Sequence, residues 1–129
     1  MSQNTFNNTG DFRGAAVFQG STLHNAGQIA GTLVRADDAS RQELQTLLQH
    51  LGEALKAVPA GKVEDAEAVG AAAEDLVKET AKEQPNKSRL RSLGRTLIDA
   101  ASAIGAAAPA ALSIAEKVVA LIGKIQGLG

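Results

Sequence analysis

A chain of 129 residues has room for one compact domain with a short appendage, which excludes large multidomain machinery. Its 13 basic and 14 acidic residues give a net charge of −1, so no overall field draws in nucleic acid. The lack of cysteine excludes disulfides and thiol catalysis. The opening MSQNTFNNTGDFRG lacks the basic and apolar regions of a secretory signal, which makes the cytoplasm the expected location.

The apolar residues of the chain are mostly small. They make up 44% of the sequence, yet only three residues are aromatic, all of them Phe. Burial contributes about 25 cal/mol per Å² of apolar surface, so an Ala-rich core of this length is marginal on its own. We therefore expect the protein to associate with copies of itself.

The first 35 residues differ in composition from the rest, being rich in Asn, Gly, Thr and Gln. Two apolar series recur in them every six positions: Phe6, Phe12 and Phe18, and Val17, Leu23 and Ile29. An even period keeps such residues on one face of an extended chain, and six is not a helical period. The pattern predicts a β-forming oligomerisation segment over residues 1–35. A disordered polar tail is the alternative.

The hexads of this segment suit a short β-prism or β-solenoid with inward-pointing aliphatic residues. About four hexads are too few to cover their own edges, so neighbouring chains are expected to cover them, as a trimer or a filament. The predicted intersubunit core consists of Phe6, Phe12, Val17, Phe18, Leu23 and Ile29.

After Val34 the apolar spacing becomes helical, and residues 36–129 are predicted to form a helical bundle. Asp37, Asp38 and Ser40 offer capping oxygens, and Ser40 with Glu43 has the spacing of a capping box. Four helices are predicted, at about 40–58, 63–82, 87–107 and 109–126. The short link near Pro59 favours an antiparallel hairpin of the first two. The fold class is mainly α with an N-terminal β segment, the helices forming a hairpin or a four-helix bundle.

The last predicted helix begins at Pro109, which is suited to a first turn. It carries a broad apolar face, the predicted membrane or partner face of the protein: Leu112, Val118, Val119, Leu121, Ile122 and Ile125. The uncharged run before and within it is short and Ala-rich, which argues against a spanning helix. Insertion of this face into lipid, as a membrane-active effector, is the alternative function.

No residues are grouped as catalysis, cofactor binding or metal binding would require. His24 and His50 stand alone, without metal-ligand spacing. The carboxylates from Glu64 to Glu83 share a predicted helix with Lys62, Lys78 and Lys82, a spacing that suits a solvated helix face. The sequence therefore predicts no enzyme, no cofactor and no metal.

A basic cluster follows the acidic helix directly and consists of Lys87, Arg89, Arg91 and Arg95. Phosphate binding is one interpretation. Because no aromatic residues are interleaved and an acidic helix is adjacent, charge complementarity within the bundle or between subunits is favoured.

The run FNNTGDFRGAAVFQGSTLHNAG, less than a quarter of the chain, resembles the short β-solenoid or amyloid-type signalling motifs that accompany helical effector domains in microbial defence. The resemblance implies that the β segment templates assembly, while the helices act as an adaptor or membrane-active effector. The leading hypothesis is a non-enzymatic, self-assembling scaffold or signalling adaptor.

Overall fold

The computed structural model describes residues 20–127, which are helical through most of that range and contain no strand. Five α-helices follow one another along the chain: α1 (Ser21–Ala30), α2 (Asp38–Lys56), α3 (Val63–Thr80), α4 (Lys87–Ile104) and α5 (Pro109–Gln126). Single turns of 3-10 helix, at Ala60–Lys62 and Gly105–Ala107, precede α3 and follow α4. The predicted helical region after Val34 is confirmed, with helix ends within about three residues of the expected positions.

Side chains fix the starts of two long helices. Asp37 caps α2, its Oδ1 accepting from the backbone N–H of Ser40 at 2.8 Å. Asn86 caps α4 in the same way, accepting from the N–H of Arg89 at 2.9 Å. Ser40 is thus the third residue of a helix that starts earlier than predicted, and it does not act as the cap. Pro109 lies in the first turn of α5, as predicted.

Residues 21–30 form helix α1, where the hexad pattern predicts an extended chain, so that prediction is wrong for these residues. The buried residues of α1 are Leu23, Ala26 and Ala30, which follow the 3-4 spacing of a helix face. Two of these three buried residues are alanines, whereas the hexad pattern was defined by larger side chains such as Leu23 and Ile29. Residues 1–19 of the predicted β segment lie outside the described residues, and so do Phe6, Phe12, Val17 and Phe18.

Helix α1 lies between α2 and α3 and changes the predicted packing. It contacts both of them, while α2 and α3 contact each other only sparsely. On its other side α2 packs against α5, α5 packs against α4, and α4 packs against α3. The described residues therefore form a ring of five helices in the order α1, α2, α5, α4, α3, and not a four-helix bundle built on a direct α2 and α3 pair.

The core inside this ring is aliphatic. Its largest fully buried apolar side chains are Leu44, Leu48, Leu51, Leu55, Val69, Leu76, Val77, Leu90, Leu97, Val118 and Ile122. Polar contacts also hold α1 against its neighbours. Gln45 Nε2 donates to the carbonyl of Gly27 at 3.0 Å, and Asn25 Nδ2 donates to Glu74. Arg35, just after α1, donates to the carbonyl of Lys82 at 2.9 Å.

Candidate interaction surfaces

The predicted membrane or partner face of α5 points into the bundle. Val118, Leu121 and Ile122 are buried, with Val118 0% exposed. Leu112, Val119 and Ile125 are half-buried and pack against the core. Within residues 20–127, no helix is long and apolar enough to cross a membrane. In this arrangement the apolar face of α5 stabilises the fold.

The two histidines lie on separate helices. His24 on α1 and His50 on α2 are both exposed. Over the part of the chain that the structure describes, no three His, Asp or Glu side chains come together as a metal site.

Glu79 is a buried carboxylate that the sequence did not distinguish from its solvated neighbours. It is 3% exposed and lies at the end of α3. Its Oε2 accepts from the backbone N–H of Asn86 at 2.9 Å, and its Oε1 lies 2.8 Å from Lys82 Nζ and 3.1 Å from Arg89 Nε. The hydrogen bond from Asn86, followed by that from Lys82, lowers the pKa of Glu79. Arg89 of the basic cluster therefore pairs with the acidic helix inside the bundle.

A groove with a volume of about 760 Å³ runs between α4 and α5, and we name it the α4–α5 groove. It is lined by Leu76, Leu90, Arg91, Arg95, Ile98, Val119, Ala120, Ile122, Gly123 and Lys124. Leu76, Leu90 and Ile122 are buried, so the groove reaches the core. All its charged lining residues are cations, and Asp99 and Glu116 do not line it.

Gly94 sets the close approach of α4 and α5 next to this groove. A Cβ added at Gly94 would lie 3.1 Å from Val119 Cγ1, closer than ordinary van der Waals contact. Two cations of the predicted basic cluster, Arg91 and Arg95, lie one helical turn apart on α4. Lys124 joins them from α5. The sequence did not predict that Lys124 belongs with the cluster, because only the α4 and α5 packing brings it there.

A second groove, of about 720 Å³, lies between α1 and α2. Leu23, Leu48 and Gly52 contribute buried surface, and its other lining residues are mostly polar, including Gln45 and Gln49.

The exposed side of α3 is acidic. Lys78 is also exposed, one turn beyond Asp75, and it pairs with Glu74. The other five exposed residues of α3 are Glu64, Glu67 and Asp75, with the small Ala68 and Ala71 between them. We name these five residues the α3 outer face. Helix α3 contains six carboxylates and one lysine, whereas α4 and α5 together contain six cations and two carboxylates. Acidic and basic residues are therefore concentrated on different helices.

Over residues 20–127 the chain is an all-α, five-helix bundle with an aliphatic core. No family model, curated protein or solved structure matches the chain. Its candidate functional features are the α4–α5 groove, the α3 outer face, and the segment that precedes Gly20.

Proposed function

We propose that the protein is a non-enzymatic, self-assembling interaction module, in which residues 1–19 pair between chains and the helical bundle serves as an adaptor. One observation carries this proposal: the core of the described residues is built from aliphatic side chains, while all three phenylalanines of the chain precede Gly20. Aromatic side chains bury about 150–250 Å² each and dominate interface energetics. The largest apolar groups of the protein are thus concentrated outside the described core.

The proposed intersubunit core is smaller than the sequence predicts. Leu23 is buried in the bundle, and Ile29 packs against the core as part of α1. The remaining candidates are Phe6, Phe12, Val17 and Phe18. In this proposal, main-chain hydrogen bonds between extended segments supply association, and the alternating side chains set the register.

Gly20 separates the proposed assembly segment from the bundle. Its φ of 75° lies in the left-handed region that glycine adopts without strain, and α1 begins at the next residue. Residues 21–27 of the run that resembles assembly motifs of microbial defence are helical, so the part before α1, residues 6–19, is what supports a role as a signalling adaptor or scaffold. The proposed partner is therefore the protein itself, with a further protein recruited by the bundle.

The proposal is tested by Val17→Asp in the full chain, with Asn8→Asp as the matched control. Both add one negative charge, but Asn8 belongs to neither apolar series. Light-scattering mass after size exclusion should fall for Val17→Asp alone, and circular dichroism should show unchanged helix content for both. An unchanged mass for Val17→Asp would refute the proposed intersubunit core.

The alternative function, a membrane-active effector, requires α5 to leave the bundle, since its apolar face is packed inside the ring. Leakage from anionic vesicles tests it directly. Leakage caused by the folded protein would favour this alternative. A purely self-assembling module keeps α5 packed in the bundle and should cause no leakage.

A further inference from the structure

We propose that the α4–α5 groove binds the α3 outer face of a second copy of this chain, so that copies also associate head to tail through their helices. This contact adds to the proposed self-assembly. It does not involve residues 1–19, so it can be tested independently of their pairing.

Charge complementarity is the first observation behind this contact. Arg91, Arg95 and Lys124 line the groove, and among residues 20–127 none of them forms an ion pair with a carboxylate. The carboxylates of Glu67 and Asp75 on the α3 outer face are exposed and likewise form no ion pair with a described cation. Arg91 and Arg95 on one surface and Glu67 and Asp75 on the other are thus opposite charges without a described ion-pair partner. Lys124 differs from the two arginines, because the pKa of Asp37 is lowered first by its hydrogen bonds from Ser40 and also by the nearby charge of Lys124.

Shape complementarity is the second observation. Between its carboxylates the α3 outer face has only the small side chains of Ala68 and Ala71, and the α5 wall of the groove has Ala120 and Gly123. Small residues at a contact allow two helices to approach closely, because interaxial distance depends on the side chains between them. The α3 helix of a second copy therefore fits deep in the groove, with its carboxylates near Arg91, Arg95 and Lys124.

The two surfaces also agree in length. Glu67 and Asp75 are eight residues apart, or about 12 Å along a helix. Arg91 and Ile98 are seven residues apart on α4, or about 10 Å. Two turns of α3 thus match the extent of the groove.

The two surfaces cannot meet within one chain. Buried side chains of α3, among them Val69, Leu76 and Val77, hold it against the core, and the α3 outer face points to solvent. The contact joins different patches on the two copies, so it is heterologous and either closes into a ring or extends. A contact of two helical turns is smaller than a standard stable interface, so the association is weak.

Charge swapping tests the contact in the full chain carrying Val17→Asp, which removes the proposed pairing of residues 1–19. The groove variant is Arg91→Glu with Arg95→Glu, and the face variant is Glu67→Lys with Asp75→Lys. Sedimentation velocity at low salt should show that each variant loses self-association. Combining all four substitutions in one chain should restore it, because the polarity is reversed on both surfaces while the net charge returns to that of the parent.

The matched control is Lys56→Glu with Lys117→Glu, which changes the net charge as the groove variant does but uses exposed lysines outside the groove. It should associate like the parent. Raising the salt from about 0.1 M to about 1 M should weaken the parent's association by about tenfold, because screening shortens from about 10 Å to about 3 Å. A groove variant that associates as the parent does, or a fourfold variant that stays monomeric, would overturn the proposal.

Cross-linking gives an independent measurement, since the chain has no cysteine. Ala71→Cys and Ala120→Cys in one chain should give a ladder of disulfide-linked multimers beyond the dimer, and the groove variant should abolish it. A pattern limited to dimers would contradict a head-to-tail contact. If Val17→Asp leaves the wild-type mass unchanged, the proposed pairing of residues 1–19 fails, while the ladder still decides the groove contact.

Discussion

Helices α1 and α2 pack against each other, but they are held in different ways. Helix α2 has 19 residues, a side-chain cap from Asp37 and four buried leucines. Helix α1 has 10 residues, no side-chain cap, and only Leu23 as a large buried residue. Cooperative units of a protein open at different free energies, and those with little buried apolar surface open first. The element that joins residues 1–19 to the bundle is thus its weakest helix.

Leu51→Ala in α2 should cost the most stability of the substitutions considered. Leu51 is 0% exposed, so truncation leaves a cavity in the core. We expect a loss of about 3 kcal/mol in the free energy of unfolding, measured by urea denaturation. An effect below about 1 kcal/mol would show that the site collapses around the smaller side chain.

The matched substitution in α1 is Leu23→Ala, and its effect should be smaller. Leu23 is buried, but α1 can detach while the other helices remain packed, so we expect about 2 kcal/mol. Hydrogen exchange should show lost protection in α1 and retained protection in α4 and α5. Equal loss of protection in all helices would show that α1 does not open separately from α2 and the rest of the bundle.

The caps provide a smaller perturbation away from the core. Asn86→Ala removes the acceptor of the Arg89 N–H and should cost about 1 kcal/mol in the free energy of unfolding. Ser88→Ala, at an exposed position of the same helix, is the control and should change the stability little. Thermal unfolding should therefore give a lower midpoint temperature for Asn86→Ala than for Ser88→Ala.

The smallest change in the free energy of unfolding is expected when acidification protonates the Glu79 carboxylate. Since its pKa is lowered in the folded protein, its contribution to stability is present above the unfolded value near 4.5 and is lost as pH falls through the lowered pKa. The stability difference between the wild type and Glu79→Gln should therefore shrink on acidification from pH 7 to about pH 3. A constant difference for Glu79→Gln would contradict its ionised, hydrogen-bonded state.

Four of the five helices could be predicted from sequence, because each has a long apolar stripe and recognisable ends. Helix α1 could not, since two alanines carry much of its buried face and a six-residue apolar spacing suggested extended chain. Its position between α2 and α3 is a tertiary property that no local pattern contains.

The candidate surfaces were only partly predictable. Arg91 and Arg95 were identified as a cluster, yet Lys124 joins them only through the packing of α5. The apolar face of α5 was recognised, but an amphipathic pattern is the same whether the face meets a core, a partner or lipid. Glu79 is buried because the chain turns back over it between α3 and α4, and its spacing in the acidic helix carried no such signal.

Light-scattering mass at high salt, for the full chain and for a chain beginning at Gly20, is the measurement that shows whether residues 1–19 drive assembly. The shortened chain begins at Gly20 so that it keeps α1, which is part of the core. A chain beginning at Ala36, the start of the helical bundle predicted from the sequence, would lack α1. We expect an oligomer or a large polydisperse mass for the full chain and a helical monomer for the shortened one. A monomer in both cases, or the same assembly in both, would contradict this expectation.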